Sequence, residues 1–127
     1  MNYGHGGLIS AHKDSYSLVI NDTNCSEHFS YGGQRIVTFM MYLSNLELGG
    51  NTIFPNIGLS VKPAKGTALF WFNFNEKMQE YDEIVHMGCP VIRGNKWIAN
   101  KWIKFSAQFK HYKSNQRFSI LRQKKNM

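Results

Sequence analysis

The sequence contains few cysteines, few acidic residues and no long hydrophobic run. Two cysteines, Cys25 and Cys89, occur in 127 residues, so at most one internal disulfide can form and a disulfide-framed mini-domain is excluded. The longest apolar runs, at 36–43 and 68–72, fall far short of the ~20 residues that a membrane-spanning helix needs. The opening residues 1–7 have neither a basic nor an apolar region of the kind found in targeting signals. We therefore expect one globular domain without a membrane span.

Acidic residues are scarce mainly in the last third of the chain. The formal net charge is +7, and residues 81–127 hold ten Lys and Arg against two Asp and Glu. Beyond Ile103 there are seven basic residues and no acid. Few aromatic residues alternate with these charges, so residues 110–127 are predicted to be a solvated basic tail and not a nucleic-acid-binding segment. Residues 1–109 are predicted to form the domain itself.

Hydrophobic residues make up 43% of the chain and aromatic residues 14%, which is enough for a real core. Glycine-rich turns separate short runs that are rich in β-branched and aromatic residues, as is typical of a β-sandwich or barrel. The predicted strands are 8–12, 36–43, 52–54, 59–62, 67–74, 83–87, 90–92 and 96–104. Residues 14–31 are polar and aperiodic and are predicted to form a long loop. Met40, Met41, Trp71 and Trp97 are predicted to fill the core.

One short motif could bind a metal ion. His12 and Asp14 are two residues apart, so on an extended segment both side chains project from the same face. With a distant third ligand they would form the two-His-one-carboxylate triad that suits non-haem Fe(II). A solvated histidine and aspartate remain the alternative for this pair.

A second pair lies further along the chain. His86 lies near the end of the predicted strand 83–87, and ten residues later Lys96 opens the predicted strand 96–104. In an antiparallel hairpin, that spacing would let both side chains line one cavity. Lys96 would then offer a positive charge to a dicarboxylate ligand. A core histidine and an exposed strand lysine are the alternatives here.

These residues belong to a longer series of motifs, which in chain order are Asn2–Gly4, His12–Asp14, Gly32–Thr38, Tyr42–Ser44, Gly49–Pro55, Val61–Trp71, His86–Val91 and Gly94–Ile103. Taken together, these motifs closely resemble the catalytic domain of prolyl 4-hydroxylases, especially the animal collagen-type alpha subunit. The resemblance covers about Asn2 to Phe109. It implies a double-stranded β-helix of the jelly-roll or cupin type, with the family's N-terminal helices and first strand missing. A chain of this kind is expected to dimerise or to be poorly soluble on its own.

The resemblance also implies an activity and a set of site residues. The activity is Fe(II)- and 2-oxoglutarate-dependent hydroxylation of peptidyl proline at C4 in collagen-like sequences, with O₂ as oxidant and ascorbate as reductant of the iron. It further implies the endoplasmic reticulum lumen and protein disulfide isomerase as a second subunit. The implied residues are His12, Asp14 and His86 for iron, Lys96, Thr52 and Tyr3 for 2-oxoglutarate, and Arg35 and Trp102 for the peptide.

Three positions depart from the family pattern. Ile9 replaces the usual tyrosine three residues before the first iron-binding histidine, which makes a weakened or inactive paralogue with a binding role the alternative. Lys13 replaces an aromatic residue and is expected to point to the opposite face. A later family cysteine is absent, so Cys89 is expected to be a free buried thiol, with a link to Cys25 as the alternative.

Overall fold

The structure, a computed structural model, describes residues 1–16 and 33–105, and strands are the main regular element there. The strands are β1 Asn2–Tyr3, β2 Ile9–His12, β3 Arg35–Tyr42, β4 Leu48–Gly49, β5 Thr52–Phe54, β6 Leu59–Val61, β7 Ala68–Phe72, β8 His86–Gly88, β9 Val91–Arg93 and β10 Lys96–Lys104. A 3₁₀ turn, Pro55–Ile57, joins β5 to β6 and ends at Gly58, whose positive φ of 65° suits glycine.

The strands form two four-stranded antiparallel sheets. The first sheet has the order β1-β10-β3-β7 and the second the order β2-β8-β5-β6, while β4 and β9 form a separate two-stranded ribbon. Neighbours within each sheet are mostly distant along the chain, as a jelly roll requires. The predicted fold class is therefore confirmed.

The core lies between the two four-stranded sheets. Met40, Tyr42, Trp71 and Ile98 come from the first sheet and pack with Phe54 of the second. On β3 the side chains alternate, so that Thr38, Met40 and Tyr42 are buried while Phe39 is exposed. This alternation aims the inner face of β3 at the space between the sheets.

The outer face of the first sheet is also apolar, but it is exposed. Phe70 and Phe72 of β7 and Trp97 of β10 are 54%, 57% and 48% exposed. The prediction that Trp97 lies in the core is wrong, because the period of two places it outward between the inward-facing Lys96 and Ile98. Met41 is likewise only half-buried, since it shares that outer face.

Two strands agree with the sequence prediction to the residue, namely 52–54 and 96–104, and most others shift by one or two residues at an end. The strand expected at 83–87 begins only at His86, because a turn closed by the Val85 N–H to the Asp82 carbonyl (3.3 Å) precedes it. The short strands β1 and β4 were not predicted. The expected hairpin between the His86 and Lys96 strands is wrong: β8 and β10 belong to opposite sheets.

Several predictions lie outside the described residues, including most of the 14–31 loop, Cys25 and the tail 110–127. Among the residues that are described, none belongs to a helix long and apolar enough to cross a membrane.

Candidate metal centre

Three of the predicted site residues meet at one end of the second sheet. His12 ends β2 and pairs directly with His86, which opens β8, so their rings lie 4.3 Å apart between centroids. Asp14 lies in the bend just after β2, where its Oδ1 is 3.8 Å from His12 Nε2 and its Oδ2 is 3.9 Å from His86 Nε2. One ligand atom from each residue lies within 4.8 Å of the others. The structure thus brings together the three residues that the sequence suggested for a metal ion.

Both imidazoles are oriented by backbone carbonyls. His12 Nδ1 lies 2.8 Å from the Ser10 carbonyl, and His86 Nδ1 lies 2.9 Å from the Ile84 carbonyl. A carbonyl oxygen can only accept, so each Nδ1 carries the proton and each Nε2 keeps a free lone pair. Such hydrogen bonds fix the tautomer of metal-binding histidines. The two nitrogens and one carboxylate therefore make a donor set that fits Fe(II).

The aromatic core holds His86 in place and keeps it neutral. Its ring stacks on Phe54 at 5.5 Å and meets the edge of Trp71 at 4.9 Å. Burial lowers the pKa of His86, because the charged imidazolium would lose its hydration there. The ring is thus kept in the form that can bind a metal.

Behind the carboxylate of Asp14 lie two polar residues that sequence reasoning missed. Thr38 donates a 2.6 Å hydrogen bond to Asp14 Oδ2, and Asn73 Nδ2 donates to Thr38 Oγ1 at 3.2 Å. Both side chains are fully buried. Their only sequence signal is a polar residue within or just after an apolar, aromatic strand, and many strands carry such a residue for other reasons.

The buried ammonium of Lys96 lies in the same cavity, about 250 Å³ in volume, that the three metal-ligand candidates line. Lys96 is 4% exposed, and its Nζ donates to Thr52 Oγ1 at 3.3 Å. Burial lowers the pKa of Lys96. Within residues 1–16 and 33–105 no carboxylate lies within 4 Å of this amine. The cavity therefore holds a positive group without a negative partner from the described part of the chain.

Thr52 extends this polar end of the cavity. The Tyr42 hydroxyl donates to Thr52 Oγ1 at 2.7 Å, and the Lys96 bond reaches the same oxygen. Because both lone pairs of Thr52 are then used, its own O–H is free to donate to a ligand. The rings of Tyr3 and Tyr42 each lie 5.8 Å from Lys96 Nζ. Tyr42 was not among the predicted site residues, since a strand tyrosine resembles ordinary core.

Arg35 and Trp102 lie at another part of the cavity wall. The guanidinium carbon of Arg35 is 3.8 Å from the centroid of Trp102 and 4.5 Å from that of Tyr16. Arg35 Nη1 also donates to the Asp14 carbonyl at 3.4 Å. Hence Arg35 is a half-buried, stacked residue beside Asp14, and Trp102 is a wall residue of the cavity.

Two of the departures from the family pattern, Ile9 and Lys13, lie at the cavity, together with Cys89, whose expected family partner is absent. Ile9 and Cys89 line it. Cys89 is free, as expected, but it is half-buried and not fully buried, and a link to Cys25 lies outside the described residues. Lys13 contributes to the lining, while its Nζ donates to Asp82 at 2.7 Å and to Glu80 at 3.4 Å.

Comparison with known proteins also indicates an iron-dependent oxygenase domain. The profile of the 2OG-Fe(II) oxygenase superfamily matches residues 1–104. The chain is 41% identical over 101 residues to prolyl 4-hydroxylase subunit alpha-2 of Gallus gallus and 40% identical over 102 residues to subunit alpha-1 of Homo sapiens. These alignments cover 80% of this chain but only 18% of each relative.

Solved structures agree as well. The crystal structure of a viral collagen prolyl hydroxylase from Paramecium Bursaria Chlorella virus-1, in complex with 2OG, superposes with a TM-score of 0.67 at 33% sequence identity. The superposition covers 81% of this chain and 55% of the viral chain. Two histidines, a carboxylate and a buried lysine line one cavity, as expected for an enzyme that binds a metal ion and an anionic cosubstrate. Because the family profile also spans nearly all of the described residues, the chain belongs to the 2OG-Fe(II) oxygenase superfamily, whose members use Fe(II), 2-oxoglutarate and O₂.

Proposed function

We propose that this chain is a prolyl 4-hydroxylase domain that hydroxylates C4 of proline within peptides. The observation that carries the proposal is the convergence of His12, Asp14 and His86 on one point, with Lys96, which has no carboxylate partner among the described residues, in the same cavity. Relatives that are named prolyl 4-hydroxylases, at about 40% identity, support this choice of reaction within the superfamily.

His12 Nε2, His86 Nε2 and one oxygen of Asp14 are the proposed ligands of Fe(II). Three protein atoms on a six-coordinate ion leave three positions for the cosubstrate and O₂. When bound, iron and 2-oxoglutarate supply the oxidising chemistry, in which O₂ provides one oxygen atom to proline and one to succinate while CO₂ is released. The protein's own part is to hold the three ligands at fixed geometry, with Nδ1 of each histidine tied to the backbone.

Lys96, Thr52 and Tyr3 are the proposed residues for the distal carboxylate of 2-oxoglutarate. The ammonium of Lys96 and the free O–H of Thr52 both donate, and a carboxylate is the acceptor with matching charge and number of lone pairs. The low exposure of Lys96 removes competing water, which strengthens this ion pair. Anchoring this end of the cosubstrate directs its other end toward the metal ligands.

Arg35 and Trp102 are the proposed contacts to the peptide. The stacked pair presents a flat, cationic wall next to Asp14, where a proline ring can pack against Trp102. We further propose a collagen-like substrate, because the viral relative is named a collagen prolyl hydroxylase. By resemblance to the prolyl 4-hydroxylase alpha subunits, the proposal extends to ascorbate as the reductant, the endoplasmic reticulum lumen as the location and protein disulfide isomerase as a partner.

Turnover with peptide tests this function. The chain is incubated with Fe(II), 2-oxoglutarate, ascorbate and O₂, with or without a Pro-Pro-Gly repeat peptide, and succinate and 4-hydroxyproline are measured. Equal amounts of the two products, both dependent on the peptide, are expected. Succinate formation that the peptide leaves unchanged, without hydroxyproline, would contradict the assignment of substrate.

A weakened paralogue with a binding role is the second candidate. The observation that favours it is Ile9, which brings an apolar side chain to the cavity wall where the family has a hydroxyl. In that case, 2-oxoglutarate and the peptide bind but peptide-stimulated succinate release is absent. The same assay, combined with a peptide-binding measurement, separates the two candidates.

A further inference from the structure

A buried ladder of hydrogen bonds runs from the end of β7 to the carboxylate of Asp14. Asn73 Nδ2 donates to the Arg35 carbonyl at 2.9 Å and to Thr38 Oγ1 at 3.2 Å. Thr38 Oγ1 in turn donates to Asp14 Oδ2 at 2.6 Å. Thr38 and Asn73 are both 0% exposed, so water does not compete for these bonds.

Each step of the ladder has only one possible direction. The Arg35 carbonyl and the Asp14 carboxylate can only accept, so Asn73 must present its NH₂ group and Thr38 must point its hydrogen at Asp14. Turning the Asn73 amide around would set its oxygen against the Arg35 carbonyl oxygen. The two fixed ends therefore determine the orientation of every group between them.

The backbone holds the ladder at both ends. The Asn73 N–H donates to the Ile36 carbonyl at 2.9 Å, and the Tyr81 N–H donates to the Asn73 carbonyl at 3.3 Å. At the other end, Arg35 Nη1 reaches the Asp14 carbonyl at 3.4 Å. Asp14 lies beyond the last residue of β2 and has no strand partner among the described residues, so these contacts fix its position instead.

The ladder distinguishes the two carboxylate oxygens of Asp14. Each oxygen lies near one histidine, Oδ1 3.8 Å from His12 Nε2 and Oδ2 3.9 Å from His86 Nε2, but only Oδ2 accepts the short bond from Thr38, whereas Oδ1 accepts no hydrogen bond from the described part of the chain. We propose that Thr38 is a positioning residue that makes Asp14 a monodentate ligand through Oδ1, and that Asn73 orients Thr38 for this task. The inference rests on the proposed function, in which Asp14 binds the iron.

This role has a chemical consequence. A carboxylate that bound through both oxygens would occupy a fourth position on the metal and leave only two for the cosubstrate and O₂, whereas three are needed. Thr38 opposes this by using one lone pair of Oδ2 and holding that oxygen toward its own hydroxyl. Groups that orient metal ligands in this way typically change metal affinity or activity by 10–100-fold when they are removed.

Metal affinity without turnover tests the proposal. Thr38→Val keeps the shape of the side chain and removes the hydroxyl, whereas Thr38→Ser keeps the hydroxyl. Mn(II) binding is titrated by electron paramagnetic resonance, and the visible spectrum of the Co(II) form is recorded. We expect Thr38→Val to bind Mn(II) roughly 10–100-fold more weakly and to change the Co(II) spectrum. Thr38→Ser should stay within about threefold of the parent and keep its spectrum.

A matched control removes a different threonine hydroxyl. Thr67 is exposed and donates to the Ala64 carbonyl at 2.7 Å in a turn away from the cluster, so Thr67→Val should change neither reading. If Thr38→Val does not fold, Asn73→Ser decides by the same criteria, because it removes the donor that orients Thr38.

The outcomes separate the inference from the function on which it rests. Folded Thr38→Val that binds Mn(II) like the parent overturns the inference and leaves the proposed function standing. Loss of affinity in Thr38→Ser equal to that in Thr38→Val also overturns it, because the shape of the side chain and not the hydroxyl would then matter. A parent chain that binds no Mn(II) refutes the proposed function, and the inference with it.

Discussion

Replacing Lys96 by methionine should raise the stability of the ligand-free chain and weaken its binding of 2-oxoglutarate at the same time. Lys96 is 4% exposed, and within the described residues its ammonium has one neutral hydroxyl partner, at the long distance of 3.3 Å, and no carboxylate. A buried charged donor without a full set of partners destabilises the fold. Methionine has a similar length, and Thr52 keeps its bond from Tyr42, so the substitution leaves no new unpaired group.

The size of each effect can be estimated. Removing the underpaired ammonium should stabilise the ligand-free chain by about 1–2 kcal/mol, which raises the melting temperature by roughly 3–6 °C per kcal/mol for a chain of this size. Removing one partner of a buried charge pair costs about 2–5 kcal/mol. Taking about 3 kcal/mol, the Kd for 2-oxoglutarate should rise about 100-fold.

Thermal melting with and without cosubstrate measures both effects. With Mn(II) present and 2-oxoglutarate at 100 times its Kd, the parent chain should gain about 2.7 kcal/mol. The same concentration would equal the Kd of Lys96→Met and add only about 0.4 kcal/mol. Lys101→Met is the matched control, because Lys101 lies on the exposed face of the same strand and should change neither value.

One result would refute the assignment of Lys96 to the cosubstrate. If Lys96→Met lowers the melting temperature of the ligand-free chain and still gains the full stabilisation from 2-oxoglutarate, Lys96 is a structural residue and not the cosubstrate anchor. The assignment of the cavity's polar end would then be wrong.

Three further predictions concern the same cavity. Burial lowers the pKa of His86, so the fold is most stable above about pH 6.5, where the ring is neutral, and loses stability as the pH falls below this value. The melting temperature should therefore be lower at pH 5 than at pH 7.5, and a higher melting temperature at pH 5 would contradict this prediction. Gly88→Ala would place a Cβ 2.9 Å from Ile9 Cγ2 and 3.7 Å from Lys96 Nζ. We expect it to lower the free energy of unfolding by about 1–3 kcal/mol and to weaken 2-oxoglutarate binding, and unchanged values for both would contradict this prediction. Ile9→Tyr restores a hydroxyl beside the metal ligands, and peptide-stimulated succinate release should rise about tenfold, the worth of one hydrogen bond; no increase would exclude Ile9 as a limit on activity.

Local patterns in the sequence were sufficient for most of the strands and for part of the site. The β-branched and aromatic runs with their glycine turns predicted Thr52–Phe54 and Lys96–Lys104 to the residue. The spacing of His12 and Asp14 predicted that they are close, since two residues apart on an extended chain can reach one point.

Long-range packing was not predictable from those patterns. His86 joins His12 through cross-strand register, and Lys96 reaches the cavity from the opposite sheet, so the hairpin inferred from their spacing was wrong. Thr38 was missed because a strand threonine has the same local signal whether it faces solvent or a carboxylate. Trp97 was misplaced because an exposed aromatic residue is unexpected until the outer face of its sheet is seen.

One measurement tests the central claim most directly. The chain is mixed anaerobically with 2-oxoglutarate and titrated with Fe(II), while the visible absorption from metal-to-ligand charge transfer is followed. We predict a band that saturates at one iron per chain and is absent in His86→Ala, because that variant lacks one of the three ligands. No band in the parent chain at saturating Fe(II), or an equal band in His86→Ala, would contradict the assignment of His12, Asp14 and His86 to a single iron that binds 2-oxoglutarate.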